Sequence, residues 1–189
     1  MGGRHKLGAI QTVKTTGKMI MGGGIEAPAV FETKRPNKVR LEFTFQGMTL
    51  TQAYDGKGGW KIMPFTGKLD PEKMSADELK DFEDQADLDG PLVDYKKKGH
   101  QVELVGKEEV QGSQTYKLKV TKKNGDVEFH FLESEAYLPI VVKSKKKVQG
   151  SEMEIEAVYG DYKPVSGVLF AHSIEQKAGG TPGGGTTIS

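Results

Sequence analysis

Apolar residues recur at every second position along most of the chain, which is the pattern of β-strands with one buried face. The clearest case is the stretch "KVRLEFTF" (38–45), where every second residue is apolar: Val39, Leu41, Phe43 and Phe45. Similar runs elsewhere bring the total to about ten or eleven predicted strands. Short connections such as "NG" (124–125), which suit a type I′ turn, join most of them and predict antiparallel pairing.

A single helix is strongly indicated in the first half of the chain. Ser75 and Glu78 have the spacing of a capping box, in which each side chain binds the backbone N–H of the other residue. A narrow apolar stripe on an otherwise acidic surface follows, and "GP" ends the helix. The stretch "PLVDYKKK" (91–98) is predicted to add a short second helix. We therefore predict a helical segment over about 71–98.

The predicted strands are too many for a flat open sheet, because a twisted sheet of about ten strands curls. The apolar face of the sheet needs cover, and about 25 helical residues are too few to supply it. The sheet is therefore expected to wrap on itself, with the helical segment as plug or lid. Such a barrel is either filled by its own side chains or keeps a cavity for a ligand. Methionines in the strands adapt to irregular apolar guests and favour a cavity, although they serve ordinary core packing as well.

The length of the chain indicates one domain. Its 189 residues are enough to bury roughly two thirds of the surface of the unfolded chain. The segment 179–189, "GGTPGGGTTIS", is rich in glycine and has no apolar residue before Ile188. We therefore predict one domain over 1–178 and a flexible tail over 179–189.

Composition excludes several functional classes. The chain has 27 basic and 26 acidic residues, so no overall field favours nucleic acid as a partner. It has no cysteine, which removes thiolate metal ligands and thiol nucleophiles and fits a cytosolic or a periplasmic protein. No apolar run approaches the ~20 residues of a transmembrane helix. The histidines lack metal-ligand spacing, and no phosphate loop or nucleophile elbow occurs, so we predict no catalytic site, metal or cofactor.

Two blocks in the first half carry a family resemblance. "KRPNKVRLEF" (34–43), followed by "QAYDGKGGWKIMPF" (52–65), resembles the LolA-like proteins, the periplasmic lipoprotein carriers and their relatives in outer-membrane lipoprotein sorting. The second half is similar to the sorting-protein branch in three blocks: "GPLVDYKKKGHQVELVGKEEVQG", "YKLKVTKKNGDV" and "YGDYKPVSGVLFAHSIE". Together these blocks cover most of residues 4–177.

The resemblance implies a mainly β fold, an unclosed antiparallel β-barrel with a short helical lid over a hydrophobic cavity. Proteins of this family are non-enzymatic periplasmic carriers that bind lipoproteins by their acyl chains. They take the lipoprotein from an inner-membrane transporter and pass it to an outer-membrane acceptor. The same function, for a lipoprotein or another lipid, is implied here. The signal peptide is then expected to lie outside the present sequence.

Individual positions match the family as well. Val39, Leu41 and Phe43 match residues of its concave face. With the neighbouring apolar residues, the predicted cavity lining is Val39, Leu41, Phe43, Phe45, Met48, Leu50, Trp60, Met63, Phe65 and Leu92. Arg35 matches the arginine that hydrogen-bonds to the lid in the carrier and helps to keep it closed, so the resemblance implies a latch role for it.

Two departures from the family leave other functions open. The chain keeps only the end of the family's N-terminal helix, around 4–7, and its segment 70–89 is longer and more acidic than in the carrier. One alternative is a periplasmic sensor or interaction module that binds a regulatory protein through the acidic helix. Another is a structural β-domain without a ligand.

Overall fold

A computed structural model of the chain describes residues 4–21, 24–148 and 151–188. Its helices are α1 (Arg4–Ala9) and α2 (Ala76–Ala86), with a short 3-10 helix at Pro64–Thr66. The strands are β1 (Thr12–Met21), β2 (Ile25–Lys34), β3 (Lys38–Phe45), β4 (Met48–Tyr54), β5 (Gly59–Met63), β6 (Lys68–Lys73), β7 (Gln101–Val110), β8 (Ser113–Thr121), β9 (Val127–Glu133), β10 (Pro139–Val148), β11 (Ser151–Val165), β12 (Val168–Ala178) and β13 (Thr181–Ile188).

The strands form one sheet in the order β6-β5-β4-β3-β2-β1-β13-β12-β11-β10-β9-β8-β7. Every strand pair whose register is described is antiparallel. The two end strands, β6 and β7, are not paired with each other in the described part of the chain, so the sheet is not closed. The predicted mainly β fold, an unclosed antiparallel sheet with short helices, is confirmed. The sheet has more strands than the predicted ten or eleven because β6, "KLDPEK", and β13, "TPGGGTTI", carry no alternating apolar residues.

Backbone contacts divide the chain into two compact units. The first unit comprises Gly8–Gly90 with the end of β13, and it contains β1–β6 and α2. The second comprises Pro91–Thr186 with the residues before Gly8, and it contains β7–β12. The single domain over 1–178 stays a prediction.

Local sequence explains how α2 begins and how closely it lies on the sheet. The Ser75 hydroxyl accepts from the Glu78 N–H at 3.3 Å, and the Glu78 carboxylate accepts from the Ser75 N–H at 2.8 Å, so the predicted capping box is confirmed. Gly59 of β5 faces the helix. A Cβ atom added there would lie 2.4 Å from Met74 Sδ and 2.9 Å from Leu79 Cδ2. The missing side chain at position 59 therefore lets this part of the chain lie directly on β5.

The predicted helical segment 71–98 is too long at both ends. Residues 68–73 form β6, and residues 88–99 form a series of turns instead of a second helix. Asp94 has a φ of 53°, in the left-handed region, which a right-handed helix does not accommodate. Backbone bonds of differing span, such as Lys98 N–H to Asp94 O and Gly99 N–H to Lys96 O, close these turns.

The glycine-rich end of the chain differs from the expectation of a flexible tail, because Thr181–Ile188 forms β13. A strand of this kind is held by backbone hydrogen bonds and does not need apolar side chains. Its end approaches β1 very closely at Gly17, where an added Cβ atom would lie 2.0 Å from the carbonyl oxygen of Thr187. Glycine within a strand marks such close approaches of another backbone.

Gly17→Ala is expected to displace the end of β13 and to lower the free energy of unfolding by about 1–2 kcal/mol, as overpacking does. Urea unfolding monitored by circular dichroism measures the effect. Gly160→Ala is the matched control, because Gly160 also lies inside a strand and an added Cβ would meet only the Ser173 Cβ, at 4.0 Å. Equal stability of the two variants would contradict the close approach of Thr187.

Candidate functional site

One face of strands β1–β5 is almost free of charged residues. Residues that pair across antiparallel strands point to the same side of the sheet. Val39 pairs with Thr33 and Tyr54, and Phe43 pairs with Ala29 and Leu50. Continued over all five strands, this register defines one face, which we call the lid face: Val13, Thr15, Gly17, Met19, Ile25, Ala27, Ala29, Phe31, Thr33, Val39, Leu41, Phe43, Phe45, Met48, Leu50, Gln52, Tyr54, Gly59, Lys61 and Met63.

Helix α2 covers one end of the lid face. Phe82 and Ala86 of the helix and Met74 before it are buried in one cluster with Val39 and Tyr54 of the sheet. The apolar stripe predicted for this helix therefore provides its contact with the sheet.

Polar contacts add two further links between α2 and the lid face. Lys61 Nζ donates a hydrogen bond to Glu78 Oε1 in the first turn of α2. This bond is the main cause of the lowered pKa of Glu78. Further along the helix, Glu83 lies close to Tyr54. Burial and then the Glu83 carboxylate raise the pKa of the Tyr54 hydroxyl.

The other end of the lid face carries a group of aromatic residues, which we call the aromatic end. The ring of Phe65, from the 3-10 helix, stacks on Phe43 at a centroid distance of 5.9 Å and an interplanar angle of 14°. It meets Phe45 at 6.3 Å and 50°. Phe65 and Met48 are each 37% exposed. The aromatic end therefore presents apolar surface to solvent, while the α2 end does not.

Arg35 lies at the end of β2 and binds the segment that follows α2. Its Nη1 and Nη2 donate to the two carboxylate oxygens of Asp89, at 2.5 and 2.6 Å. Its Nε donates to the carbonyl oxygen of Ile10 at 2.6 Å. Both charged side chains are only 20% exposed, and the bond to Asp89 raises the pKa of Arg35 further above its usual value. A two-pronged bond of this kind is among the stronger contacts that arginine makes.

Most of the predicted lining residues lie together. Leu41, Phe43, Phe45, Met48, Leu50 and Met63 share the lid face, and Phe65 packs against it. Val39 is on the same face but is 3% exposed, because α2 packs on it. It therefore belongs to the helix contact and not to the accessible surface.

Two predicted lining residues lie elsewhere. Trp60 pairs with Ala53 and Lys73, which places it on the opposite face of the sheet, where it is 39% exposed. The prediction is wrong at this position because Trp60 is out of phase with Gly59 and Lys61 by one residue. Leu92 is half-buried in the turns of the second unit. Its role in the lining stays a prediction.

The sequence interpretation missed three polar residues of the site. Gln52 and Lys61 are in phase with Leu50 and Met63, so strand alternation alone was the signal that placed them on the lid face. Asp89 had no signal of this kind. It was assigned to the acidic surface of the helix, 54 residues from the arginine that it binds.

The second unit holds a buried charged group. Glu128 lies 2.5 Å from Lys122 Nζ and 2.9 Å from His130 Nε2, and all three side chains are nearly inaccessible. Burial alone would raise the pKa of Glu128. Hydrogen bonds and charge from His130 and Lys122 outweigh it and lower the pKa to about 2.

Residues 4–21, 24–148 and 151–188 contain neither a cluster of metal ligands nor a membrane-spanning helix. No group of three or more histidine, aspartate or glutamate side chains there is placed to hold a metal ion. No helix among these residues combines the length and the apolar character that crossing a membrane requires.

Known structures resemble this fold over nearly the whole chain. A domain described as part of an outer membrane lipoprotein-sorting protein from Vibrio parahaemolyticus has a TM-score of 0.65 and 12% identity, covering 95% of this chain and 83% of that one. A LolA superfamily protein from Nitrosomonas europaea has a TM-score of 0.62 and 13% identity, covering 95% and 82%. A DUF1329 family protein from Desulfovibrio piger has a TM-score of 0.60 and 12% identity, covering 98% and 85%.

Neither a protein-family model nor a curated protein matches the chain. The sequence resemblance to LolA-like proteins is thus confirmed at the level of the fold, and this chain has the fold of the LolA superfamily and of outer-membrane lipoprotein-sorting domains.

Proposed function

We propose that the protein is a non-enzymatic periplasmic carrier that binds the acyl chains of a lipoprotein, or another lipid, on the lid face beside α2. The observation that carries the proposal is the aromatic end, where apolar side chains at the edge of a sheltered face are accessible to solvent. Exposed apolar surface of this kind marks binding sites more often than ordinary surface does. The sorting function of a structural neighbour supports the proposal.

The energetics favour an acyl chain as the ligand. Each CH₂ group removed from water contributes ~0.8 kcal/mol, so a few buried methylenes offset the cost of a moderate movement of α2. The part of the predicted lining that is not buried is the binding surface: Leu41, Phe43, Phe45, Met48, Met63 and Phe65. Leu50 lies on the same face but is buried. Arg35 is the latch, since it ties the segment after α2 to the end of β2.

The carrier function includes two partners in turn. An inner-membrane transporter supplies the lipoprotein, and an outer-membrane acceptor receives it. The acyl chains leave when the acceptor offers a more favourable apolar surface or when α2 moves. The proposed location in the periplasm agrees with both partners.

Phe65→Ala is expected to weaken the binding of a fluorescent acyl-chain probe about tenfold, because the ring supplies a large share of the accessible apolar surface. Trp60→Ala is the matched control. Trp60 is an aromatic residue of similar exposure, but it lies on the opposite face and is expected to leave the probe affinity unchanged. Titration of the purified protein with the probe measures both affinities.

A second measurement tests the same proposal without a variant. Organic extraction of the purified protein, followed by mass spectrometry, is expected to release bound lipid. A protein that releases no lipid and takes up no probe would not be a carrier. The alternative would then gain support if neutralising the acidic residues of α2 removed the binding of a protein partner.

A further inference from the structure

Lys61 is the charged residue of the lid face. Every other position of this face in the described parts of β1–β5 is apolar, glycine, or a neutral polar residue. A lysine placed among such residues loses much of its hydration, since its side chain is only 18% exposed. Within these parts of β1–β5 Lys61 is thus a single charge on a largely apolar face, while on the edge strand β6 its cross-strand neighbour Glu72 pairs with Lys68. The charge of Lys61 calls for an explanation in terms of what it binds.

Lys61 lies between the α2 end and the aromatic end of the lid face. Two residues before it, Gly59 contacts the segment that carries α2. Two residues after it, Met63 leads into the 3-10 helix that carries Phe65. Across the sheet, Lys61 pairs with Gln52, whose other neighbour is Leu41. The row of Leu50 and Phe43 begins about 7 Å further along the strands, at two residues of rise.

The present partner of Lys61 is exchangeable. Glu78 uses Oε1 to accept from Lys61 and uses Oε2 to accept from the Ser75 N–H in the capping box. Release of Lys61 therefore leaves the cap of α2 intact. Glu78 is 36% exposed, so water replaces the amine at little cost. The neighbouring acid on the edge strand, Glu72, is already paired with Lys68 at 2.7 Å.

We propose that the lid face binds acyl chains that end in a carboxylate, with the headgroup on Lys61 and the chain extending towards the aromatic end. The carboxylate of the ligand replaces the carboxylate oxygen Oε1 of Glu78 as the acceptor of the Lys61 hydrogen bond. The side-chain amide of Gln52 is a further hydrogen-bonding group beside it. This inference rests on the proposed function in its second form, a lipid other than a lipoprotein, because the acyl chains of a lipoprotein are held in ester or amide bonds and carry no free carboxylate. It adds the chemical class of that lipid, a fatty acid. It makes Lys61 a binding residue and Glu78 its competitor.

The test compares two ligands of equal chain length, palmitate and 1-hexadecanol, by displacement of the fluorescent acyl-chain probe at pH 8. The unaltered protein is expected to bind palmitate about tenfold more tightly, the size expected for a charged hydrogen bond. Lys61→Met is expected to abolish this preference and to retain the affinity for hexadecanol. Lys61→Arg, which keeps the charge, is expected to retain most of the preference.

Glu78→Gln separates ligand binding from a purely structural role of Lys61. Both Lys61→Met and Glu78→Gln remove the ion pair between the sheet and α2. If the contact only anchors the helix, the two variants change the affinities for both ligands alike. If Lys61 binds the headgroup, Glu78→Gln maintains or strengthens palmitate binding, whereas Lys61→Met weakens it selectively.

Each result has a defined meaning. Equal binding of palmitate and hexadecanol by the unaltered protein would overturn the headgroup assignment and leave the carrier proposal standing. Binding of neither ligand would overturn both. The ratio of the two affinities in the unaltered protein is informative even if a variant does not fold, and thermal unfolding of each variant checks its folding.

Discussion

Arg35→Met is expected to release the segment 87–90 and, with it, the carboxyl end of α2. The amide hydrogen exchange of α2 is expected to rise tenfold to a hundredfold, and the free energy of unfolding is expected to fall by about 2–3 kcal/mol. The binding rate of an acyl-chain probe is expected to rise, because the segment opens more often. Hydrogen exchange with mass spectrometry and stopped-flow fluorescence measure these effects.

The physical reason is the pair of charged hydrogen bonds that the variant removes from a largely buried carboxylate. Asp89 is only 20% exposed, and both of its carboxylate oxygens accept from the guanidinium group. Removing one partner of a fully buried pair costs about 3–5 kcal/mol, and the residual exposure here reduces that figure. Methionine keeps the aliphatic bulk of the side chain, so loss of packing contributes little.

Two control variants separate the latch from a general loss of stability. Arg40→Met removes another arginine, which is 49% exposed, binds Glu42 and contacts Glu32 at 3.4 Å, and lies on the face opposite to Val39. It is expected to change the free energy of unfolding by less than about 1 kcal/mol. Arg35→Lys keeps the charge but not the two-pronged geometry and is expected to restore part of the protection. Unchanged exchange of α2 in Arg35→Met would contradict the latch.

The lid face shows which parts of the site strand alternation can predict. Alternation placed Leu41, Phe43, Phe45 and Leu50 on one face without reference to any partner strand. The helix α2 could also be predicted from the sequence, because its cap and its apolar stripe depend on residues within one or two turns. These are local patterns, and local patterns survive folding when the tertiary contacts agree with them.

The predictions that failed are those that depend on residues far apart in the sequence. Trp60 was assigned by its aromatic character, although its phase relative to Gly59 puts it on the opposite face. The strand β13 has no apolar pattern. Its place in the sheet depends on backbone hydrogen bonds, which leave no signal in the side chains of the sequence. The one signal was Gly17, a glycine inside a strand, whose meaning requires the position of Thr187. Asp89, the partner of Arg35, was missed for the same reason, because it lies 54 residues away in the sequence.

Acid is expected to weaken the second unit through Glu128. The pKa of this carboxyl is about 2 in the folded protein and about 4.5 in an unfolded chain. The unfolded chain therefore binds the proton more readily as the pH falls below about 5, and the free energy of unfolding decreases. The full contribution, present above the unfolded pKa, is about 3 kcal/mol at 1.36 kcal/mol per pKa unit. Urea unfolding between pH 7 and pH 3 measures the loss.

Glu128→Gln identifies the residue responsible. At pH 7 the variant is expected to unfold with about 3 kcal/mol less free energy, because it leaves Lys122 buried without its carboxylate contact. Towards pH 3 the unaltered protein loses most of this advantage, and the two curves are expected to approach within about 1 kcal/mol. Glu152→Gln removes an exposed pair, 3.0 Å from Lys145, and is expected to cost less than about 1 kcal/mol at pH 7. A difference between Glu128→Gln and the unaltered protein that stays constant from pH 7 to pH 3 would mean that the buried carboxylate does not control the acid sensitivity.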